Sequence, residues 1–498
     1  MKKANIIKKT FALALTGTII FGASAVSASA VSTPADTPLN QTGTITYNKA
    51  FYDKNAEACD AIANGLANHA SSINIFKYKI QTDNIGNAYA VALKKNPLFF
   101  YVDNNNYYMT TKKSSDGITY INSVIPIYRY DESTTEQMTD KFNAECKKYL
   151  AKLSNNMTDY QKALTLHDEI ALECEYGLKD EFSTRSCDAY DALVNKESTC
   201  EGYTAAYSYL LSLVGIDSDI VNSSAMVHAW NKVCIDGSYY NVDITWDDPV
   251  PDNNGLVSHT YFLLSDDEIA IATNNRQPHY DYVSSYSADN SKYDKSLFHE
   301  FNTKMCIDDD GSYYAISNSY NSKYKKSLVK YNLEADSAEV VKTIGDYWKA
   351  SETSYWLDGF AGLDMKDGVL YYNTPSSVYY LNTKTGETDS LGKISSDKES
   401  YGMRVIDGKI YVALSSTPNE KTTLTYFGKC KDFDDFMLGD VTGDGQIDIT
   451  DATSIQKYLV EMEVYTEKQI KCADFDKDGY ITVNDITAIQ TYMADGNV

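Results

Sequence analysis

Three short stretches govern the reading of this chain: Ser198-Thr199-Cys200-Glu201-Gly202-Tyr203, then Val227-His228-Ala229-Trp230-Asn231, then Tyr239-Tyr240-Asn241-Val242-Asp243-Ile244-Thr245-Trp246-Asp247-Asp248-Pro249. After the first, Leu210, Leu211 and Val214 keep helical spacing and Gly215 supplies a stop, so a helix is predicted from Glu201 to Val214. Cys200 then stands at its N-terminus, where the helix dipole and unpaired N–H groups favour a thiolate and could also hold an oxyanion. The second and third stretches flank Asp236-Gly237, a hairpin signal. His228 falls on the outgoing strand and Asp243 on the returning one. Nucleophile, general base and orienter are thus supplied in order. Singly these residues are weak signals, because a buried Cys usually only packs, a His beside a Trp is usually structural, and Asp247-Asp248-Pro249 reads equally as a turn. Together they point to acyl transfer through a cysteine thioester.

These motifs resemble the transglutaminase-like superfamily, which shares a papain-like Cys, His and Asp arrangement. The resemblance is strongest over 155–265. It implies Cys200, His228 and Asp243 as the catalytic triad. Trp230 after the His and Thr245-Trp246-Asp247 after the Asp also match, and Tyr261-Phe262-Leu263-Leu264-Ser265 resembles a closing strand. Bacterial members carry a stretch like Asn96-Pro97-Leu98-Phe99-Phe100-Tyr101, which extends the expected region back to residue 46. His167, His259 and His279 match no catalytic position and are read as structural.

Working outward, the first thirty residues read as an export signal, with Lys2, Lys3, Lys8 and Lys9 before the apolar run Phe11–Phe21 and Ala28-Ser29-Ala30 at the cut. The run is short for a membrane span. Residues 31–45 read as a flexible leader and 46–154 as an N-terminal α+β region that packs on the core. Within it helices are predicted over Ala56–His69, Glu136–Leu153 and, running on into the core, Asp159–Cys174. Leu98–Val102 reads as a buried strand and Ile118–Tyr130 as further strands. Removing the signal's four lysines takes the formal net charge from −24 to −28, which argues against nucleic acid as a partner. Nine cysteines, at wide and irregular spacing, show no CxxC pair, so no zinc ribbon and no disulfide pairing is assigned.

Beyond the catalytic region 155–290, residues 300–430 repeat a plan of Asp-Gly followed by an aromatic strand, at Asp310-Gly311, Asp367-Gly368 and Asp407-Gly408. This reads as a β-rich domain of unknown role, propeller-like or a sandwich. Its tyrosines read first as β packing, with a carbohydrate platform as the alternative.

The last segment, 436–498, contains two loops in register. Asp440, Thr442, Asp444, Gln446, Asp448 and Asp451 occupy the first, and Asp474, Asp476, Asp478, Tyr480, Thr482 and Asp485 the second. Oxygen groups at positions 1, 3, 5, 9 and 12, a carbonyl at 7 and Gly at 6 suit a hard cation of six to eight oxygen ligands, so two Ca2+ ions are expected in these EF-hand-like loops. Residues 432–498 hold 15 acids and 4 lysines, a net of −11 before metal. The pair resembles a type I dockerin, which implies a cohesin domain of a scaffoldin as partner. The family's cohesin-reading positions fall on Ile449, Thr450, Val483 and Asn484. Thr442 stands where the family usually has Asn or Asp.

The expected fold class is therefore multidomain α+β: a papain-like, transglutaminase-like core, a β-rich domain and a small α-helical calcium-binding dockerin. The expected function is a secreted, extracellular cysteine acyl-transfer enzyme docked on a cell-surface cellulosome. A peptidase or amidase acting on protein or peptide is preferred to a crosslinking transglutaminase, with no cofactor in the catalytic domain. The alternatives are a non-catalytic cellulosomal binder that uses the β-rich region, and an accessory protein in polysaccharide catabolism. No paired-carboxylate constellation marks a glycosidase.

Overall fold

The computed structural model describes residues 39–494, apart from 178–186, 253, 274–275, 318–322, 325, 345, 350–354, 357–358, 418–419, 432, 434–436 and 461. The stretch read as an export signal and most of the stretch read as a leader lie outside the described residues. Two compact units divide after Gly428. Among the described residues, no helix is long and apolar enough to cross a membrane.

The first unit opens with α1 (Lys49–Ala67), whose N-terminus is capped by the Asn48 side chain on Phe51 N–H. Ala58, Cys59, Ile62 and Leu66 recur at helical spacing and are buried. After α2 (Ile85–Lys94) the chain does not enter a strand at Leu98 as predicted. Pro97–Phe99 form a 3-10 turn, and the strand begins only at Val102 and runs to Lys113. Pro97 lacks an N–H for a ladder, and the aromatic run is buried as a turn instead: Phe100 packs on Phe142 and Tyr190, and Tyr101 Oη donates to Leu66 O. The strand pairs with Thr119–Tyr128. Helix α3 (Glu132–Leu150) starts before its predicted position because Asp131 caps it through Thr134 N–H.

Helix α4 (Asp159–Glu173) is capped by a reciprocal Thr158–Gln161 box and is buried around nearly its whole circumference. Helix α5 (Cys200–Leu213) lies beside it, with Tyr207 Oη donating to Ala163 O. Both pack in the core with a five-stranded sheet of order Ile45–Thr46, Ser218–Ser223, His228–Ile235, Ser238–Val242 and Phe262–Leu264. Ile45, the last residue of the expected leader, is already part of this sheet, pairing parallel with Ser218. The central hairpin turns at Asp236-Gly237, both at positive φ, the conformation that matches the strand twist. Two four-residue helices follow, α6 (Ile244–Asp247) and α7 (Asp266–Ile269).

Residues 306–429 form successive antiparallel meanders and, among the described residues, no closed barrel. One runs through 306–307, 313–317, 327–332 and 337–343. The next runs through 363–366, 369–373, 377–382 and 388–393, and the last through 399–406, 409–415 and 423–429. Each predicted Asp-Gly pair sits at a hairpin turn. The meanders are fastened to the core by charge. Lys304 Nζ lies 2.6 Å from Glu169 Oε1 of α4 and 2.9 Å from Asp364 Oδ1. Arg404 Nη2 lies 3.4 Å from Glu169 Oε2, and its Nη1 donates to Leu172 O at 2.9 Å. They are fastened by close backbone approach as well: a side chain at Gly255 or Gly362 would collide with the Met403 backbone, and one at Gly402 with the backbone oxygen of Asn254.

The second unit contains α8 (Ile449–Leu459), α9 (Glu467–Ala473) and α10 (Val483–Ala494). Its own core holds Val441, Ala452, Ile455, Tyr465, Cys472, Ile486 and Ile489.

Candidate active site and calcium loops

Cys200 is the first residue of α5, preceded by Thr199 in extended conformation. A Cβ on Gly202 would meet Ser198 Oγ and Asp188 O, so the glycine is what lets the first turn sit tightly on the preceding loop. His228 opens its strand. The residue before it, Val227, is at φ +52 and highly exposed, a left-handed conformation that a β-branched residue rarely adopts. Asp243 differs from its expected place. It stands just past the returning strand, as the N-cap of α6, where its Oδ1 accepts from Trp246 N–H at 3.3 Å.

The structure brings the three residues together. His228 Nε2 is 2.7 Å from Asp243 Oδ2. A carboxylate only accepts, so Nε2 carries the proton, and the Cys200 thiol lines the same cleft as the His228 ring. Burial disfavours the His228 cation, but the charge and hydrogen bond of Asp243, together with Cys200, push its pKa up to about 10. For Asp243, burial acts upwards, and the two neighbouring imidazoles hold it down at about 2. The His228 ring is flanked by Trp246 at 5.1 Å and Trp230 at 5.9 Å between centroids. Trp230 Nε1 in turn donates to Asn241 Oδ1 at 2.9 Å.

The stretch after Asp243 is more than a turn. Asp247 Oδ2 meets His167 Nε2 of α4 at 3.2 Å, and its carboxylate accepts from Tyr261 N–H. His167 Nδ1 and His259 Nε2 both meet Asp168 Oδ1 at 2.9 Å. Asp248 Oδ2 accepts from Tyr203 Oη of α5 at 2.6 Å. The short helix carrying Asp243 is therefore tied to both helices of the core. Sequence reading had left His167 and His259 without partners. His279 was left out as well, yet its Nε2 lies 2.8 Å from Asp243 Oδ2. The signal for His167 was its place on a buried helix. His279 gave no local signal at all.

Cys200 and His228 open onto a cleft of about 650 Å³ whose walls include Asn104, Asn105, Tyr176, Cys187, Glu201 and Asn222. Cys187 is a second thiol in this cleft, and burial pushes its pKa up, so it stays protonated. No disulfide joins any of the nine cysteines, all of which lie among the described residues.

In the second unit the calcium loops differ. Asp474, Asp476 and Asp478 gather their carboxylates within 4.8 Å, and Asp474 Oδ1 is buried with no hydrogen-bond partner. Burial and the charges of Asp485, Asp478 and Asp474 raise the Asp476 pKa. An orphaned carboxylate oxygen among like charges fits a divalent cation. Asp485 accepts from Asp476 N–H and Thr482 N–H, which closes the loop that places Tyr480 at position 7. In the first loop Asp440 accepts from the N–H groups of Gly443, Asp444 and Gly445. Asp451 accepts from Thr442 and Asp448, and Asp444 accepts from Gln446 N–H. Among the described residues this loop shows no equally tight group of three carboxylates. Ile449 and Thr450 begin α8, and Val483 and Asn484 begin α10, with Ile449 and Val483 exposed.

Comparison with known proteins defines the class of each part. Residues 147–244 match the transglutaminase-like superfamily. Residues 438–494 match the type I dockerin domain. The chain thus carries a transglutaminase-like core domain and a C-terminal type I dockerin domain. No curated protein matches. Among solved structures, one described as a TGase is 12% identical over 28% of this chain and 43% of its own, with a TM-score of 0.20. A Cytophaga hutchinsonii protein described as a cysteine protease is 15% identical over 28% of this chain and 62% of its own, with a TM-score of 0.18. The extracellular domain of a B. thetaiotaomicron one-component system is 14% identical over 37% of this chain and 20% of its own, with a TM-score of 0.18. The chain spans less than two thirds of the length of each.

Proposed function

We propose that this chain is a secreted cysteine acyl-transfer enzyme, docked through its dockerin on an extracellular scaffold, with Cys200, His228 and Asp243 as its catalytic residues. The observation that carries the reading is the His228 ring, which gives Nε2 to Asp243 and shares a cleft with the Cys200 thiol. His228 takes the thiol proton, and the thiolate attacks a carboxamide or peptide carbonyl. The N–H groups at the start of α5 favour the oxyanion. The imidazolium then protonates the leaving amine, and a thioester remains on Cys200. Water hydrolyses it, or an amine takes the acyl group. The open cleft, with the polar residues Asn104, Asn105 and Asn222 in its walls, supports water as acceptor, so a peptidase or amidase is preferred to crosslinking.

The dockerin supports a cellulosomal setting and a cohesin domain as partner, read through Ile449, Thr450, Val483 and Asn484. Two Ca2+ ions, one per loop, would be held by Asp440, Thr442, Asp444, Gln446, Asp448 and Asp451, and by Asp474, Asp476, Asp478, Tyr480, Thr482 and Asp485. When bound, the ions supply the charge neutralisation that lets each acidic loop close. A connection with polysaccharide breakdown then comes through the assembly.

Wild type and Cys200→Ala, incubated with a peptide library and a primary amine, test the catalytic reading. Mass spectrometry should find cleavage or deamidation that disappears in the variant. Products independent of Cys200, or none, would overturn it.

A further inference from the structure

The carboxylate of Asp243 serves two imidazoles. His228 Nε2 and His279 Nε2 meet the same oxygen, Oδ2, at 2.7 and 2.8 Å. Because that oxygen only accepts, both Nε2 atoms carry protons. His279 comes from the loop after α7, where its N–H donates to Ile269 O at 2.9 Å. Its ring sits in an aromatic cage, 4.3 Å from Trp246, 4.6 Å from Trp230 and 5.4 Å from Tyr261 between centroids. Its Nδ1 is buried with no partner. The proton that the ring presents to Asp243 is therefore on Nε2.

We infer that His279 is a positioning residue of the proposed acyl-transfer reaction: it fixes the Asp243 oxygen that does not make the N-cap bond and takes up part of the charge that would otherwise bind His228 alone. The inference rests on the proposed function. A carboxylate that gave all its charge to one imidazolium would hold that ring's proton too firmly for delivery to a leaving group. Sharing the oxygen lessens the hold while keeping the Nε2–H tautomer of His228 in place. The other titratable groups around the trio are Cys200 and Tyr176 on the cleft side, Asp247 one turn beyond Asp243, Tyr261 of the cage, and Arg276 near Tyr261. Arg276 is engaged by Glu268.

The pH dependence of Cys200 alkylation by iodoacetamide, read by peptide mass spectrometry in the full-length protein, tests this without a known substrate. Its upper limb reports loss of the His228 proton. Removing the donor with His279→Phe makes Asp243 a stronger acceptor, so the limb moves up by at least about half a pH unit, roughly threefold in proton affinity. His279→Gln, which offers an amide N–H, keeps the wild-type limb. A His279→Phe limb that superimposes on wild type, while labelling still depends on His228, overturns the inference and leaves the proposed function standing. Labelling indifferent to His228→Ala overturns the proposed function instead. Should His279→Phe fail to fold, 15N-histidine spectra of wild type, assigned with His279→Gln, decide. Residue 279 should carry a proton on Nε2. A neutral ring with its proton on Nδ1 and a bare Nε2 at that residue overturns the inference.

Discussion

Neutralising Glu169 should loosen the first unit by about 3 kcal/mol. Glu169 lies on α4, is buried, and faces Lys304, Arg404 and Lys152. Burial alone would raise its pKa, but these cations pull it from 4.5 down to about 2. A carboxylate depressed by that much contributes about 3 kcal/mol of stability at neutral pH, at about 1.4 kcal/mol per unit. Breaking a buried ion pair by removing one partner costs about 3–5 kcal/mol on general grounds, so the two routes agree. Glu169→Gln keeps the shape and deletes the charge. The stabilisation is fully present above the unfolded pKa near 4.5 and is lost as pH falls towards about 2. The gap between wild type and variant should therefore shrink from about 3 kcal/mol at pH 7 to about 2 at pH 3.5. Urea unfolding followed by tryptophan fluorescence reads this unit alone, because Trp230, Trp246, Trp348 and Trp356 all precede Gly428. A loss below about 1 kcal/mol at pH 7, or an equal loss at both pH values, refutes the reasoning.

Three other outcomes are expected. Asp243→Asn keeps an acceptor for His228 but removes the charge that raises its pKa, so the upper limb of Cys200 alkylation should move down by at least about one pH unit, and an unmoved limb would contradict the assignment. His167 is buried, which lowers its pKa, yet Asp168 and Asp247 raise it to about 9. Its contribution is full below about pH 6.5 and is lost as pH rises through about 9, so wild-type melting temperature should fall over that range more steeply than that of Asp247→Asn. Calorimetric titration with calcium should give two sites in wild type and one after Asp474→Ala, and unchanged stoichiometry in the variant would remove Asp474 from the ligand set.

The core of the site was legible because its chemistry is local. A helix start, an Asp-Gly hairpin and a strand end put Cys200, His228 and Asp243 into order with little help from the rest of the fold. The calcium loops were legible for the same reason, since each is one turn of chain. What escaped was assembled over distance. His279 reaches Asp243 from 36 residues away through a loop with no periodicity. Asp247 read as a turn residue until α4 brought His167 to it across 80 residues. The strand expected at Leu98 gave way to a turn, because burying Phe100 and Tyr101 against Phe142 and Leu66 outweighed their local β preference.

The glycines around Met403 make the last meander a poor candidate for exchange. Gly255 belongs to the loop after α6, Gly362 to the middle meander and Gly402 to the last, and each gives up its side chain to a neighbour's backbone. A transplanted blade that brought even an alanine to this seam would be rejected on contact, whatever its own stability. Recombination among such chains would have to carry all three sides of the seam together.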